Sequence, residues 1–350
     1  MVTQSAVLDT IEVLLGRSGV VERLSVEPTA KRDLIDGLDV SRSTVDRAIR
    51  EIESLGLVES GDDGVTFTLC GRLAAEEFER FGSRLADRCG VGDATDSVIA
   101  DLIATAVRQS ELLDVLDQPL DKRDLVDELD RSRSTIDRTM RELEVIGVVK
   151  YVPEGFAPTE IGDTLVREYG SFVDRLDNTL AASNLLSVLD PAVDLDAAML
   201  AGAEIVTQKP VAPHVPGTQL VELIREADRL TCVTHAHSHP RAMETVYSLA
   251  NDGVEMTFVF PAPLLDHVRS LHPDRFSRIL GLANYETYAV DETPYGLFLV
   301  ETPDGICVRL LVYNRDNEMK GMISNSSSEA VEWGKQVYQS HENRAEPVTA

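Results

Sequence analysis

The sequence predicts an α+β multidomain chain: two small helix-rich domains in tandem, followed by a larger α/β domain. Three observations predict it. The stretch "SRSTVDRAIRE" at Ser41–Glu51 returns as "SRSTIDRTMRE" at Ser132–Glu142. Apolar residues recur at helical spacing through the first half, whereas extended apolar runs alternate with helical ones in the second. At 350 residues the chain is long enough for several cores. The expected boundaries are 1–89, 92–190 and 195–348.

The first element is "MVTQSAVLDTIEVLLGRSG". It has no basic region ahead of an apolar stretch, so it reads as a domain's first helix and not as a leader peptide. The chain lacks the run of roughly 18 apolar residues that a membrane span requires. Cys70, Cys89, Cys232 and Cys307 show no CxxC spacing, and Cys232 and Cys307 sit in apolar, strand-like runs that suit small core residues; a reducing cytoplasm fits. Sixty acidic residues face 33 basic ones, for a net charge of −27, and only six of the basic residues are lysine. Such a composition could mean disorder, but the regular periodicity argues for a folded, cytoplasmic protein of a salt-rich, halophilic cell. Net acidity then says little against a nucleic-acid partner.

Lys31–Val58 aligns with Lys122–Val149 without a gap at an offset of 91, with 18 of 28 positions identical. Chance would give about two, so a domain is duplicated. The match resumes at Thr68/Thr159, Gly71/Gly162 and Phe81/Phe172. In each copy "KRDLIDGL" or "KRDLVDEL" predicts a short helix, and Ser41 or Ser132 is placed to cap the next one. In that second helix Val45, Ile49 and Ile52 share a face, as do Ile136, Met140 and Leu143. Ser43, Arg47 and Arg50 lie opposite, and so do Ser134, Arg138 and Arg141. A short helix, a tight turn and a longer helix with a basic outer face form the helix-turn-helix pattern. "LVESGDDGVTFTL" and "VVKYVPEGFAPT" then read as two strands around a turn, a wing.

The two copies resemble archaeal winged-helix domains, from "KRDL" through the wing to "LCGRL" or "EIGDTL". Residues 31–50 and 122–141 each carry a net charge of +1 inside this acidic chain. The expected contacts to double-stranded DNA are Lys31, Arg32, Ser41, Arg42, Ser43, Thr44, Arg47 and Arg50 in the first copy. Those in the second are Lys122, Arg123, Arg131, Ser132, Arg133, Ser134, Thr135, Arg138 and Arg141. Two blander readings stand beside this one. Asp46–Arg50 and Asp137–Arg141 could be helix-surface ion pairs worth a few tenths of a kcal/mol, and winged helices also bind proteins. Because salt weakens phosphate contacts steeply, doubling the reader is one way to recover affinity.

Each wing leads into a helical segment. Arg72–Arg88 carries Leu73, Phe78, Phe81 and Leu85, and "VGDAT" starts the long first helix of the second copy. Ile161–Leu189 reads as one longer helix, placed to pack on its own domain or to pair with its twin in a homodimer. It is also the expected route by which an effector would reorient the two readers. Pro191 ends it.

The last domain reads as strands at "RLTCVTHA" (229–236) and "VEMTFVF" (254–260) joined by a helix over Arg241–Asn251, hence a parallel pair. A helical stretch near Leu264–Leu282 follows, then extended runs "YETYAV", "YGLFLVE" and "GICVRLLVYN". A final helix spans Ser328–Ser340, with Ser326 and Glu329 at capping-box spacing. From "LAGAEIVTQKP" through "LLDHVRSLHPDRFSRIL" to "SSSEAVEWGKQVYQSHENRAEPV" this domain resembles the middle domain of the methanogenesis regulatory protein family of archaeal regulators. Members of that family look distantly like a phospholipase D half-domain. The resemblance therefore implies a degenerate phospholipase D-like sensor domain. That superfamily's His-x-Lys with a following Asp is missing from "GICVRLLVYN", so the resemblance implies binding without phosphodiesterase chemistry. The family usually carries one winged helix, and this chain has two.

His235, His237 and His239 alternate at the end of an expected strand, where i and i+2 share a face. They could converge on a metal with Asp266 or His267, contact a small ligand at the sheet's carboxyl edge, or form a plain polar loop. Arg241, Tyr295, Arg309 and the loop of Ser324, Asn325 and Ser326 are further ligand candidates. Arg309, inside an apolar strand, is expected to meet a buried carboxylate or a ligand anion. No Gly-rich phosphate loop or nucleophile elbow is present, and no cofactor is expected. The resulting expectation is a DNA-binding transcription regulator with an unknown small-molecule effector. A metal- or histidine-dependent phosphodiesterase and a protein-binding scaffold are the rivals.

Overall fold

The computed structural model describes residues 4–89, 96–116, 118–237 and 239–349. It divides into one unit of Met1–Thr66 with Ala74–Asp177 and another of Phe67–Leu73 with Asn178–Ala350. The aligned stretches Lys31–Val58 and Lys122–Val149 lie in the first unit. The "VGDAT" segment falls outside the described residues.

In the first copy α1 (Gln4–Gly16), α2 (Ser18–Val21), α3 (Lys31–Leu38) and α4 (Arg42–Ser54) precede a hairpin of β1 (Val58–Ser60) and β2 (Val65–Phe67). Helix α5 (Leu69–Arg88) follows. The second copy runs α6 (Asp96–Asp114), α7 (Lys122–Leu129), α8 (Arg133–Val145), β3 (Val149–Val152), β4 (Gly155–Pro158) and α9 (Glu160–Ala181). Asp39 and Asp130 make the turn between the short and long helices in the left-handed region, at φ 52 and 48. Aspartate tolerates that region better than most residues. Leu34 and Leu125 bury the short helix against the long one.

Each hairpin gains a third strand through a bridge, Thr29 to Val65 and Leu120 to Phe156. The bridge explains two glycines. Gly64 has φ +146, and a Cβ there would lie 2.5 Å from the Thr29 oxygen; Gly155, at φ +135, presses on the Leu120 carbonyl in the same way.

Helices α5 and α9 pack on one another. Phe81 stacks on Phe172 with centroids 4.7 Å apart and planes 2° from parallel, Phe78 meets Phe172 edge-on at 6.0 Å, and Phe81 meets Tyr169 with tilted planes at 6.2 Å. Two buried carboxylates flank this aromatic seam. Glu77 binds Arg80 at 2.9 Å, and Glu168 binds Arg88 at 2.6 Å and Arg84 at 3.2 Å. These guanidiniums reach the surface while the carboxylates do not, so the pairs are anchored from the rim.

The expected single helix over 161–189 is divided: α9 stops at Ala181, the chain turns at Ala182, and α10 (Ser183–Leu186) is a separate turn. In the second unit Arg72 donates to the carbonyls of Pro191, Val193 and Leu195 at 3.0, 3.0 and 3.1 Å. After a 3₁₀ turn at Ala197–Met199 come β5 (Glu204–Thr207), α11 (Val215–Arg225), β6 (Arg229–Val233), α12 (Pro240–Asn251) and β7 (Glu255–Pro261). Then follow α13 (Ala262–Leu271), α14 (Pro273–Leu280), β8 (Tyr285–Val290), β9 (Gly296–Thr302), β10 (Gly305–Tyr313), β11 (Met319–Asn325), α15 (Ser328–Glu342) and β12 (Glu346–Pro347).

The eight-stranded sheet has the order β12-β8-β7-β6-β9-β10-β11-β5. Strands β6, β7 and β8 are parallel, as the β-α-β reading required, and the other pairings are antiparallel. Leu220, Ile224, Val246, Leu265 and Phe276 bring α11 to α14 onto the face carrying Cys232, Phe258 and Phe298. Gly334 of α15 lies against Leu299 and Val308 on the opposite face, so both faces are covered. Two expectations change. The stretch 264–282 is two helices, because Pro273 forces the preceding His272 out of the helical region, to φ −144 and ψ 68. The cap of α15 is Ser327, which accepts from the Ala330 N–H at 3.2 Å, and Ser326 plays no part in it.

Candidate nucleic-acid interface

The α4 helix starts where Ser41 accepts from the Thr44 N–H at 3.2 Å, and α8 starts the same way with Ser132 and Thr135. Each capping hydroxyl also meets two neighbours, Ser43 and Thr44 in one copy and Ser134 and Thr135 in the other. The result is a cluster of hydroxyls at a helix N-terminus, where N–H groups and the helix dipole favour phosphate oxygens. The apolar stripe then buries Val45, Ala48, Ile49 and Ile52 of α4, and Ile136, Thr139, Met140 and Leu143 of α8. That burial turns Arg47, Arg50, Arg138 and Arg141 outward, and all four are exposed.

Most ion pairs on this surface are long, and Lys122–Asp137 is the tight one among the described residues. Asp46 stands 3.7 Å from both Lys31 and Arg42, Arg32 is 3.5 Å from Asp36, and Arg138 is 3.8 Å from Glu142. Arg50 donates to the Asp46 carbonyl, not its carboxylate. Lys122 binds Asp137 at 2.5 Å and holds its carboxyl below the usual range, against a smaller opposing effect of burial. The Asp46–Arg50 and Asp137–Arg141 ion pairs of the blander reading are not made. Among the described residues Arg47, Arg123, Arg133 and Arg141 form no ion pair. Exposed pairs of this kind contribute at most about 1 kcal/mol, so phosphates can displace them.

One candidate is placed differently. Arg131 donates to Glu111 at 2.8 Å and to Gln109 at 3.2 Å, and so is held on α6 of its own domain. Two residues that sequence reasoning passed over sit on the second hairpin. Tyr151 is 65% exposed, braced edge-on by Phe156 at 5.2 Å, and Lys150 beside it is exposed. The first copy has Glu59 and Ser60 at these positions, with Asp62 and Asp63 at its tip. Comparing the two wings at the offset of 91 would have found this difference.

The ligand candidates of the α/β unit separate. Strand β6 ends at Val233, so the three histidines follow it in irregular backbone and do not share a strand face. His235 turns to the Thr293 carbonyl at 2.5 Å and packs against Tyr313. His237 and His239 line an apolar cavity of about 50 Å³ with Leu220, Ile224, Met243 and Phe260. His237 also borders an open pocket of about 500 Å³ with His267, Asp291 and Asn317. The His237 Nε2 and His239 Nδ1 atoms are buried without a hydrogen-bond partner. Burial, and then neighbouring His267, His272 and His239, lower the His237 pKa; burial and then Arg241 lower that of His239. Gly217 of α11 makes room for the His239 ring, which a Cβ would meet at 2.7 Å. Arg241 is exposed. Among the described residues no group of His, Cys, Asp and Glu is placed to hold a metal.

Tyr295, Arg309, Ser324, Asn325 and Ser326 line neither of these cavities. Tyr295 is buried and donates to the Asp194 carbonyl. Arg309 meets the hydroxyl of buried Ser324 and, among the described residues, pairs with no carboxylate, and its Nε is buried without a partner. Asn325 donates to the carbonyls of Ala198, Met199 and Ala201 and accepts from the Ser327 N–H. Only Ser326 of that loop is exposed among the three candidates.

Residues 213–344 match the family described as methanogenesis regulatory protein FilR1, middle domain. Residues 9–88 and 96–181 each match the HVO_A0261 N-terminal domain. No curated protein matches the chain. Among solved structures, TrmBL2, an archaeal chromatin protein whose structure shows a novel mode of DNA binding, is 14% identical over 70% of this chain and 94% of its own, with a TM-score of 0.33. NucT from Helicobacter pylori is 12% identical over 42% of this chain and 98% of its own, with a TM-score of 0.33. Nuc from Salmonella typhimurium, a phospholipase D family member, is 12% identical over the same 42% and 98%, with a TM-score of 0.34. Among the described residues no helix is long and apolar enough to cross a membrane.

Proposed function

We propose that this chain, whose residues 213–344 match the FilR1 middle-domain family and whose residues 9–88 and 96–181 match the HVO_A0261 N-terminal-domain family, is an archaeal transcription regulator whose tandem winged helices bind operator DNA. One observation carries the reading. Of the nine positions of α4 and α8 that are not buried, eight hold the same residue in both copies, and all four buried positions differ. Physics alone favours the reverse. Exposed positions usually tolerate change within about 0.5 kcal/mol, and buried ones accept only swaps of similar volume, as Ile49/Met140 and Ile52/Leu143 are. Identity on the outside and drift on the inside mean that something beyond the fold holds both surfaces. A face of Ser, Thr and Arg at a helix N-terminus suits the phosphates and base edges of a duplex.

The test is an Arg47→Ala/Arg138→Ala double variant of the full chain, assayed on DNA fragments selected by the unaltered protein. Binding is expected to fall by about 1–3 kcal/mol for each arginine that reads a base, with an unchanged melting curve. Unaltered binding would remove the recognition-helix assignment.

The α/β domain is proposed to sense an effector at the cavity and pocket that meet at His237. Two buried ring nitrogens without partners beside an apolar floor favour a small ligand with an apolar body and a polar edge. Loss of calorimetrically detected effector binding in His237→Ala, with the fold intact, is the expected result.

A further inference from the structure

We infer that a single chain is already a complete two-fold reader, and that its DNA target is an inverted repeat with two like half-sites, occupied by one molecule. The inference rests on the DNA-binding reading above and specifies its target. A tandem duplication can place its copies in two ways. If the second copy follows the first by translation, unlike surfaces meet, and the pair reads a direct repeat. If a local two-fold axis relates the copies, each contact recurs with the partners exchanged, and equivalent residues meet on the axis.

The seam between α5 and α9 is of the second kind. At the repeat offset of 91, Phe81 is the counterpart of Phe172, Phe78 of Tyr169, and Glu77 of Glu168. Phe81 and Phe172, equivalent positions, stack directly on each other within 2° of parallel, an arrangement that a two-fold axis passing between the rings accommodates. The contact of Phe78 with Phe172 at 6.0 Å is answered by that of Tyr169 with Phe81 at 6.2 Å. Glu77 and Glu168 are both buried there, each held by arginine. Helix α1 packs on α6, the equivalent element of the other copy.

Extended from the seam through each copy, that axis is inferred to relate α4 to α8 as well. A duplex has its own two-fold axes perpendicular to its length, and a protein axis aligned with one presents the same helix face to the same sequence on opposite strands. Because the exposed faces of α4 and α8 are identical at eight of nine positions, the two half-sites should read alike. The wings break the symmetry: Lys150 and Tyr151 add cationic and stacking contacts on one side, where Glu59 and Ser60 face the other.

Full-length protein is used to select sequences from a random double-stranded library at molar KCl, and the mass of the selected complex is then measured in solution. The expected result is an inverted repeat with one chain per duplex, and selection with Arg138→Ala should return a motif with one half-site degraded. A direct repeat, a lone half-site, or an inverted repeat occupied by two chains would overturn the inference while leaving DNA binding intact. No enriched sequence at all would overturn the DNA-binding reading and this inference together.

Discussion

Replacing Glu168 by alanine tests whether the buried carboxylates hold the two repeats together. The Glu168 carboxylate is 6% exposed and is engaged by Arg88 at 2.6 Å and Arg84 at 3.2 Å, with Arg167 at 3.8 Å. Removing one partner of a buried ion pair costs about 3–5 kcal/mol when the remaining charge stays dry. Here Arg88 is 52% exposed and can turn to water, whereas Arg84 at 27% is left with only Glu77, 3.9 Å away. The expected loss is thus near the lower bound, about 3 kcal/mol. With a urea dependence of about 2 kcal/mol per molar, the unfolding midpoint should fall by roughly 1.5 M. Urea titration followed by far-ultraviolet circular dichroism at fixed salt measures it, with Arg167→Ala as the control expected to shift by less than about 0.5 kcal/mol. A Glu168→Ala midpoint within about 0.3 M of the unaltered protein would refute the claim that this network stabilises the seam.

Other outcomes follow from the same geometry. Gly64→Ala combines a positive φ with a Cβ 2.5 Å from a backbone oxygen, and should cost at least about 2 kcal/mol in the same titration. Gly253→Ala is the control, with positive φ and no neighbour within 4 Å, and should cost less. The depressed pKa values of His237, His239 and His341 mean that the unfolded chain binds protons first. Stability of the α/β unit should therefore be fully present above about pH 6.5 and fall as pH drops below it; His341→Gln should flatten that dependence in a melting series. Burial pushes the Cys70 thiol up to about 12 and raises that of Cys232 further from reactivity. Maleimide labelling of the native protein should reach the half-exposed Cys89 and Cys307 first, as peptide mapping would report.

Much of the repeated helix-turn-helix unit was visible in the sequence, because local rules write it. Ser41 and Ser132 cap their helices, the apolar stripe decides which face is buried, and the exposed arginines follow from that. The α/β domain was visible as a sheet with a parallel pair, because β-branched runs alternate with one helical stretch. What escaped has long-range causes. Nothing near Arg131 announces that Gln109 and Glu111, some twenty residues earlier, take up its guanidinium. Tyr295 looks like any exposed tyrosine until the Asp194 carbonyl arrives from far along the chain to receive its hydroxyl. The histidine alternation suggested a shared face, but the strand stops at Val233, two residues short of the first of them. Phe81 and Phe172 were seen as matched positions, and their contact could not be, since repeat alignment gives equivalence without distance.

The stacked rings of Phe81 and Phe172 also bear on how the cell handles this protein. Where such halves sit on separate polypeptides, their union is a bimolecular event that dilution undoes. Here the connecting residues hold them at an effective concentration on the order of millimolar, however scarce the chain becomes. A gene expressed at a handful of molecules therefore yields fully paired halves. Mutations can then accumulate in one half without a matching change in the other, as the unlike wings already show.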